Sequence, residues 1–326
     1  MRVLVTGGHG FIGSHTLQEL IENDYHVGCF DVSGPSPVSE PVSDDVHFFQ
    51  GDIADPIDVY DAVATFEPDR IIHLASKLGR ESQTQIRPAI SINLMGTVHV
   101  LEAADSLGVD RVIAASSAST YGDSPLDVDR LTEETIQQPS SVYGLTKYAV
   151  ERVGQAYADQ GSLEFAAIRP THGLGPDRQR GNVEDTSIIK AAVSGTPLTI
   201  PRIEYPIEII YVRDEARAFV AAAVADDLPY DNYIIGTGEQ VTLVEVTEMV
   251  RELVPDAELK TEDIDDDNRQ LFERPPSDYS RIREDFGWKP EYSIEDSIEE
   301  YITWLQENPN KWSFSLSDVP WLSSTR

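Results

Sequence analysis

Thr6-Gly7-Gly8-His9-Gly10-Phe11-Ile12-Gly13 lies between an apolar run at 2–6 and an amphipathic run at 11–23, and its reading decides the fold. A glycine-rich turn between a strand and a helix is the context that a dinucleotide site requires. Glycine at 7 permits the tight turn, glycine at 10 lets the backbone approach a pyrophosphate, and glycine at 13 lets the helix pack close to the strand. Phe11 and Ile12 open the helix, whose free N–H groups and partial positive charge face the same phosphates. About twenty residues on, Asp31 closes the next apolar run, where a carboxylate accepts both hydroxyls of an adenosine ribose. It repels a 2′-phosphate, and no Arg or Lys stands between Asp31 and Asp45 to receive one. The expected cofactor is therefore NAD rather than NADP.

Outward from this turn, short apolar runs at 26–30, 46–50, 70–74, 111–115 and 163–169 read as strands. Segments at 56–66, 88–107 and 141–160 carry apolar residues at three- and four-residue spacing and read as helices. Alternation of the two predicts an α/β chain with right-handed crossovers, a doubly wound parallel Rossmann sheet covered on both faces. Residues 33–45, rich in Ser, Pro and acid, read as a surface loop. Beyond 170 the pattern loosens: loops at 173–182, helices near 186–194, 214–225, 242–253 and 293–306, and a strand near 208–212. The expected division is a dinucleotide-binding domain at 1–170 and a smaller α/β substrate lobe at 171–326, some of whose segments return to the first. The acidic run at 262–267 reads as a solvated loop, and no metal site is expected.

Asp and Glu number 57 against 25 Lys and Arg, six of them lysine, for a formal charge of -32. Such a field repels phosphate backbones and anionic lipid, which argues against nucleic acid or membrane as partner. Dense carboxylates with few lysines also suit a halophilic protein, hydrated in concentrated salt where screening weakens their repulsion. Cys29 is the single cysteine, so no internal disulfide forms, in keeping with a reducing compartment. No apolar run reaches the length of about 18 residues that a membrane helix needs, and a strand pattern begins at Arg2 without signal-peptide features. A cytoplasmic protein is expected.

Tyr143-Gly144-Leu145-Thr146-Lys147 begins a predicted helix, and positions four apart share a face. An ammonium and a nicotinium both favour the phenol's anion, so the pair is expected to work as a base moving a carbinol proton. Ser116-Ser117-Ala118-Ser119-Thr120-Tyr121-Gly122 follows the fifth strand and delivers hydroxyls to the carboxyl edge of the sheet, where open α/β folds bind ligands. A surface Tyr and Lys on an amphipathic helix show the same spacing; the flanking glycine turn and Ser-rich strand end are what favour an active site.

These motifs, with Gly51-Asp52-Ile53, His73-Leu74-Ala75-Ser76 and Asn93, resemble the extended short-chain dehydrogenase/reductase family, also called the NAD-dependent epimerase/dehydratase family, over nearly the whole chain. The resemblance implies that Asp52 and Ile53 flank the adenine. It places Leu74, Ala75, Ser76 and Pro170 beside the cofactor, and it has Asn93 brace the active-site backbone. Lys77 occupies the place of a lysine that reaches the cofactor in the family's sugar-nucleotide epimerases. Ser117 becomes the catalytic hydroxyl beside Tyr143, and Lys147 holds the nicotinamide ribose. The family also implies a homodimer through the helices at 88–107 and 141–160.

Substrate and reaction stay open at this point. The family's 4,6-dehydratases carry an Asp-Glu pair where Ala118 and Ser119 stand, so water elimination is not expected. His172 occupies a place usually held by Asn, and Ile207-Glu208 stand where an arginine is familiar; both usual groups serve the nucleotide end of a substrate. Ser119, His172 and Arg274 are the substrate-binding candidates, with Arg178, Arg180 and Arg202 as further cations. Three readings follow: a sugar or nucleotide-sugar epimerase, an NAD-dependent dehydrogenase of a sugar, sugar acid or other small hydroxyl compound, and a non-catalytic NAD-sensing protein. Retention of Tyr143, Lys147 and Ser117 tells against the third.

Overall fold

The computed structural model describes residues 1–34, 46–122, 127–178, 183–202, 206–263 and 274–323. In chain order the first half runs β1 (Arg2–Thr6), α1 (Phe11–Glu22), β2 (His26–Asp31), β3 (His47–Gln50), α2 (Pro56–Phe66) and β4 (Arg70–His73). It continues with α3 (Gly79–Thr84), α4 (Ile86–Ala89), a π-helical turn (Ile90–Met95), α5 (Gly96–Leu107), β5 (Arg111–Ala115), α6 (Val142–Ala158) and β6 (Glu164–Pro170). The second half holds β7 (His172–Leu174), α7 (Glu184–Ser194), β8 (Leu198–Pro201), β9 (Ile209–Tyr211), α8 (Val212–Val224) and β10 (Asn232–Ile235). Then come α9 (Leu243–Leu253), β11 (Leu259–Glu262), α10 (Ser280–Phe286) and α11 (Ile294–Glu307).

Seven strands pair in the order β3-β2-β1-β4-β5-β6-β10, every pairing parallel. Two-residue alternation divides their side chains between two cores. Val3, Val5, Ile72 and Ile113 meet Leu17 and Leu20 of α1 and Phe219 of α8. Leu4, Ile71 and Val112 meet Val63 and Phe66 of α2 and Leu101 of α5 on the opposite face. Strands apolar on both sides and covered by helices on both sides make the doubly wound Rossmann architecture.

A third apolar cluster gathers Ile188 and Ile189 of α7, Ile200 of β8, Val246 and Val250 of α9 and Ile298 and Tyr301 of α11. Two small parallel pairs, β8 with β11 and β7 with β9, line it. β10, from the same half of the chain, adds to the edge of the large sheet beside β6.

Local differences from the sequence reading have physical reasons. The helix expected over 88–107 is broken, with a π turn at Ile90–Met95 ahead of α5; such a turn recurs at functional sites because it redirects one side chain. β7, β8, β10 and β11, three or four residues each, are strands that the sequence reading leaves in loops. The loop expected at 33–45 and the acidic run at 262–267 fall largely outside the described residues. Among the described residues no helix is long and apolar enough to cross a membrane, and no cluster of three His, Cys, Asp or Glu side chains is placed to hold a metal.

Candidate active site

β1 and β4 are neighbours whose connections leave the sheet in opposite directions, so a crevice opens at their carboxyl ends. Thr6 pairs in register with His73, and their side chains join through a Thr6 Oγ1–His73 Nδ1 contact of 2.6 Å. Burial, reinforced by the charge of Lys147, pushes the His73 imidazole down to about 3, so it stays neutral and acts as a pin. Gly7 adopts φ +71°, and a Cβ built there would lie 2.6 Å from the backbone nitrogen of Ala75. No other residue lets the 74–77 segment pass so close. Leu74 donates its N–H to the Thr6 carbonyl at 3.0 Å, which lays Leu74, Ala75 and Ser76 along the glycine turn. Gly10, Phe11, Ile12 and Gly13 form the first turn of α1 on the other side.

Asp31, at the end of β2, accepts the His9 N–H on Oδ2 and the Ser33 N–H on Oδ1, each at 3.0 Å. Its carboxylate is thereby held beside the glycine turn. Asp52 is exposed and accepts the Ala54 N–H at 2.9 Å, while Ile53 is buried. A backbone cradle that any Cβ would fill, a helix N-terminus and a carboxylate at the second strand end fit an adenine dinucleotide.

Asn93 explains the π turn. Its Oδ1 accepts the Lys77 N–H at 2.6 Å, and its amide donates to the Lys77 carbonyl and to Thr146 Oγ1, each at 3.0 Å. One buried amide thus ties the loop after β4 to the helix carrying Tyr143 and Lys147. The Lys77 ammonium pairs with Glu81 at 3.1 Å.

Ser141 caps α6 by accepting the Gly144 N–H at 3.1 Å. A Cβ at Gly144 would lie 2.5 Å from the Ser119 carbonyl, so glycine lets the helix press against the turn after β5. That contact brings Tyr143 to Ser117. Ser119 Oγ donates to Ser117 Oγ at 2.9 Å. Lys147 is 4% exposed; its Nζ donates to the Ala115 carbonyl at 2.8 Å and lies 5.7 Å from the Tyr143 ring centre. Burial lowers the ammonium to about 7. Burial also pushes the Tyr143 phenol up to about 12, with Glu215 acting in the same sense and Ser117, Arg178 and Ser76 opposing. The chain's own groups therefore do not make the phenol acidic; the expected depression needs a further positive charge.

The substrate candidates separate. Pro170 ends β6, buried. His172 contacts Asp185 through Nε2 at 3.0 Å and Arg178 through Nδ1 at 3.4 Å, and the Arg178 guanidinium stands 5.6 Å from the Phe11 ring centre. Asp185 is fully buried; burial opposes its ionisation, but His172 and Arg178 outweigh it and hold its pKa below the ordinary value. Arg274 donates to the Gly122 carbonyl at 2.7 Å, bracing the end of the Ser-rich turn. Arg202 pairs with Asp263 at 3.2 Å on the surface, and Arg180 lies outside the described residues. Asp185 and Glu215 escaped the sequence reading because acidic residues near helix starts look like ordinary solvated ones.

An open parallel sheet, a glycine cradle at its switch point and Tyr143, Lys147 and Ser117 at its carboxyl edge define a dinucleotide-dependent enzyme of the extended short-chain dehydrogenase/reductase kind. The sequence profile of the NAD dependent epimerase/dehydratase family matches residues 3–236, and the chain belongs to that family. Its fold matches the UDP-glucose 4-epimerase of Thermus thermophilus solved with NAD, at 26% identity and a TM-score of 0.83, over 94% of this chain and 99% of that one. The UDP-glucose 4-epimerase of Thermotoga maritima, solved with UDP-glucose, matches at 26% identity and a TM-score of 0.85, over 95% and 100%. The dTDP-glucose 4,6-dehydratase of Escherichia coli is 26% identical over 96% of this chain and 95% of its own. The protein is an NAD-dependent enzyme of sugar epimerase or dehydratase type.

Proposed function

We propose that the protein epimerises a sugar or nucleotide sugar through transient oxidation of one carbinol, with Tyr143 as the base and Lys147 and Ser117 assisting. The observation that carries this reading is the convergence of Tyr143, Ser117 and Lys147 on one strand end through the Gly144 contact. Bound NAD supplies a hydride acceptor and a positive ring. Ser117 holds the substrate oxygen, Tyr143 takes and returns its proton, and the Lys147 ammonium favours the phenolate. With a pKa of about 7, Lys147 shifts its protonation readily in the neutral range. The glycine cradle and Asp31 select NAD. Ala118 and Ser119 replace the acid pair expected of a dehydratase, which favours epimerisation over elimination.

The test is incubation of the purified protein with NAD and a panel of sugars, sugar acids and UDP-sugars, preceded by assay for copurifying NAD. Stereoisomer exchange without net NADH supports the proposal. Net NADH formation replaces it with a dehydrogenase on the same residues, and silence toward the whole panel favours an NAD sensor.

The finer expectations join this reading. The division at about residue 170 is supported by the separate apolar cluster of the second half. A homodimer through α5 and α6 is supported by exposed Met95, Leu107 and Leu145 on those helices and the π turn before them. A halophilic, cytoplasmic setting is supported by the charge of -32 and the lone cysteine.

A further inference from the structure

Glu215 stands in the first turn of α8, 2% exposed, and its Oε2 is buried without a hydrogen-bond partner among the described residues. It points across β7. A Cβ built on Gly173 would lie 2.5 Å from Oε2 and 2.8 Å from Oε1, so the glycine at 173 makes room for this carboxyl. The same carboxyl acts electrostatically on the Tyr143 phenol and on Arg178, so it stands within electrostatic reach of the proposed base.

An apolar side chain would fill this space without leaving a polar atom unsatisfied. A buried polar group lacking a partner costs stability, and its retention calls for a partner that arrives from outside. That partner is not an anion. Arg178, the cation beside Glu215, is already shared with Asp185 and His172, and a second negative charge would meet both carboxyls. Burial raises the Glu215 carboxyl to about 8, against the pull of Arg178 and with the push of Asp214. At neutral pH it is mainly the neutral acid, which donates through O–H and accepts through its carbonyl.

Resting on the reading of the Tyr143 cleft given above, we propose that Glu215 is a ligand-binding residue whose carboxyl hydrogen-bonds a neutral O–H or N–H group of the bound molecule. The donor is either a hydroxyl of the sugar or the carboxamide of the nicotinamide. Glutamine retains a carbonyl of the same shape; leucine retains the volume and removes the hydrogen bond. The full-length wild type, Glu215→Gln and Glu215→Leu are compared by titration with NAD, by titration of the NAD-saturated protein with UDP-glucose, and by thermal melting without ligand.

Glu215→Leu is expected to weaken one of the two affinities about tenfold, the loss of one buried hydrogen bond. Glu215→Gln should stay within about threefold of wild type, and the ligand-free melting temperature of the leucine variant should not fall. Weakened NAD binding puts the donor on the nicotinamide; weakened UDP-glucose binding alone puts it on the sugar. Unchanged affinities for both probes in Glu215→Leu overturn the proposal, as does equal weakening by Gln and Leu with a lowered melting temperature, which marks a structural carboxyl. A wild type that binds neither probe removes the reading of the cleft itself and this inference with it.

Discussion

Alanine at Gly7 separates two demands that the cofactor turn makes on its backbone. Gly7 adopts φ +71° and Gly108, after α5, adopts φ +74°, so alanine meets the same left-handed penalty at both, about 1 kcal/mol. Their surroundings differ. Nothing lies within 4 Å of a Cβ built on Gly108, whereas at Gly7 that atom meets Ala75 N at 2.6 Å and Ala75 Cα at 2.7 Å. Those neighbours are backbone atoms and cannot rotate away, and overpacking of this kind adds about 1–3 kcal/mol. Gly108→Ala should lower the unfolding free energy by about 1 kcal/mol and leave NAD affinity alone. Gly7→Ala should lower it by about 2–4 kcal/mol, a few degrees of melting temperature or more. It should also weaken NAD at least about tenfold, because the displaced 74–77 segment borders the cofactor. Equilibrium urea unfolding and NAD titration of the two variants side by side provide the measurement. Equal losses in both, or wild-type NAD affinity in Gly7→Ala, would refute the close-approach argument.

Tyr143→Phe should bind NAD as wild type does and lose turnover by a factor of about a hundred or more; unimpaired turnover removes the proposed base. The pKa shifts fix the pH dependence of stability in the NAD-free protein. The Glu215 value rises from 4.5 to about 8, so across that window the folded chain holds a proton that the unfolded chain has lost, and stability falls as pH rises; Glu215→Gln should flatten the slope. Lys147 falls from 10.5 to about 7, so there the unfolded chain holds the extra proton and stability climbs as pH rises. Lys147→Met should abolish that climb while eliminating activity. With a net charge of -32, thermal stability should increase from dilute buffer to molar KCl; a lower melting temperature at molar KCl contradicts the halophilic reading.

Much of the site was legible because its parts are local in sequence. The spacing of Gly7, Gly10 and Gly13, the four-residue interval from Tyr143 to Lys147 and the hydroxyls after β5 are each contained in a short stretch, and each carries its own stereochemical requirement. The alternation of apolar runs likewise announced a parallel sheet, since strands buried on both faces must be apolar throughout. Asn93 was assigned a bracing place by resemblance, but the π turn that aims it at Lys77 and Thr146 breaks a segment whose periodicity reads as one helix.

Composition and local pattern by themselves determined the fold class and the NAD preference, and they singled out Tyr143 and Lys147 as the pair proposed to react. Tertiary structure alone decided which acids are buried and how burial shifts them. Gly173 and Glu215 are 42 positions apart and His172 and Asp185 are 13 apart, yet packing brings each pair together and buries both carboxyls. Burial turns the Glu215 carboxyl into a neutral acid, whereas at Asp185 the neighbouring His172 and Arg178 outweigh burial and keep the carboxylate charged. Desolvation depends on what surrounds a group in space, which is why side chains of the same chemical kind, scattered through an acidic sequence, acquire distinct roles only once the chain has folded.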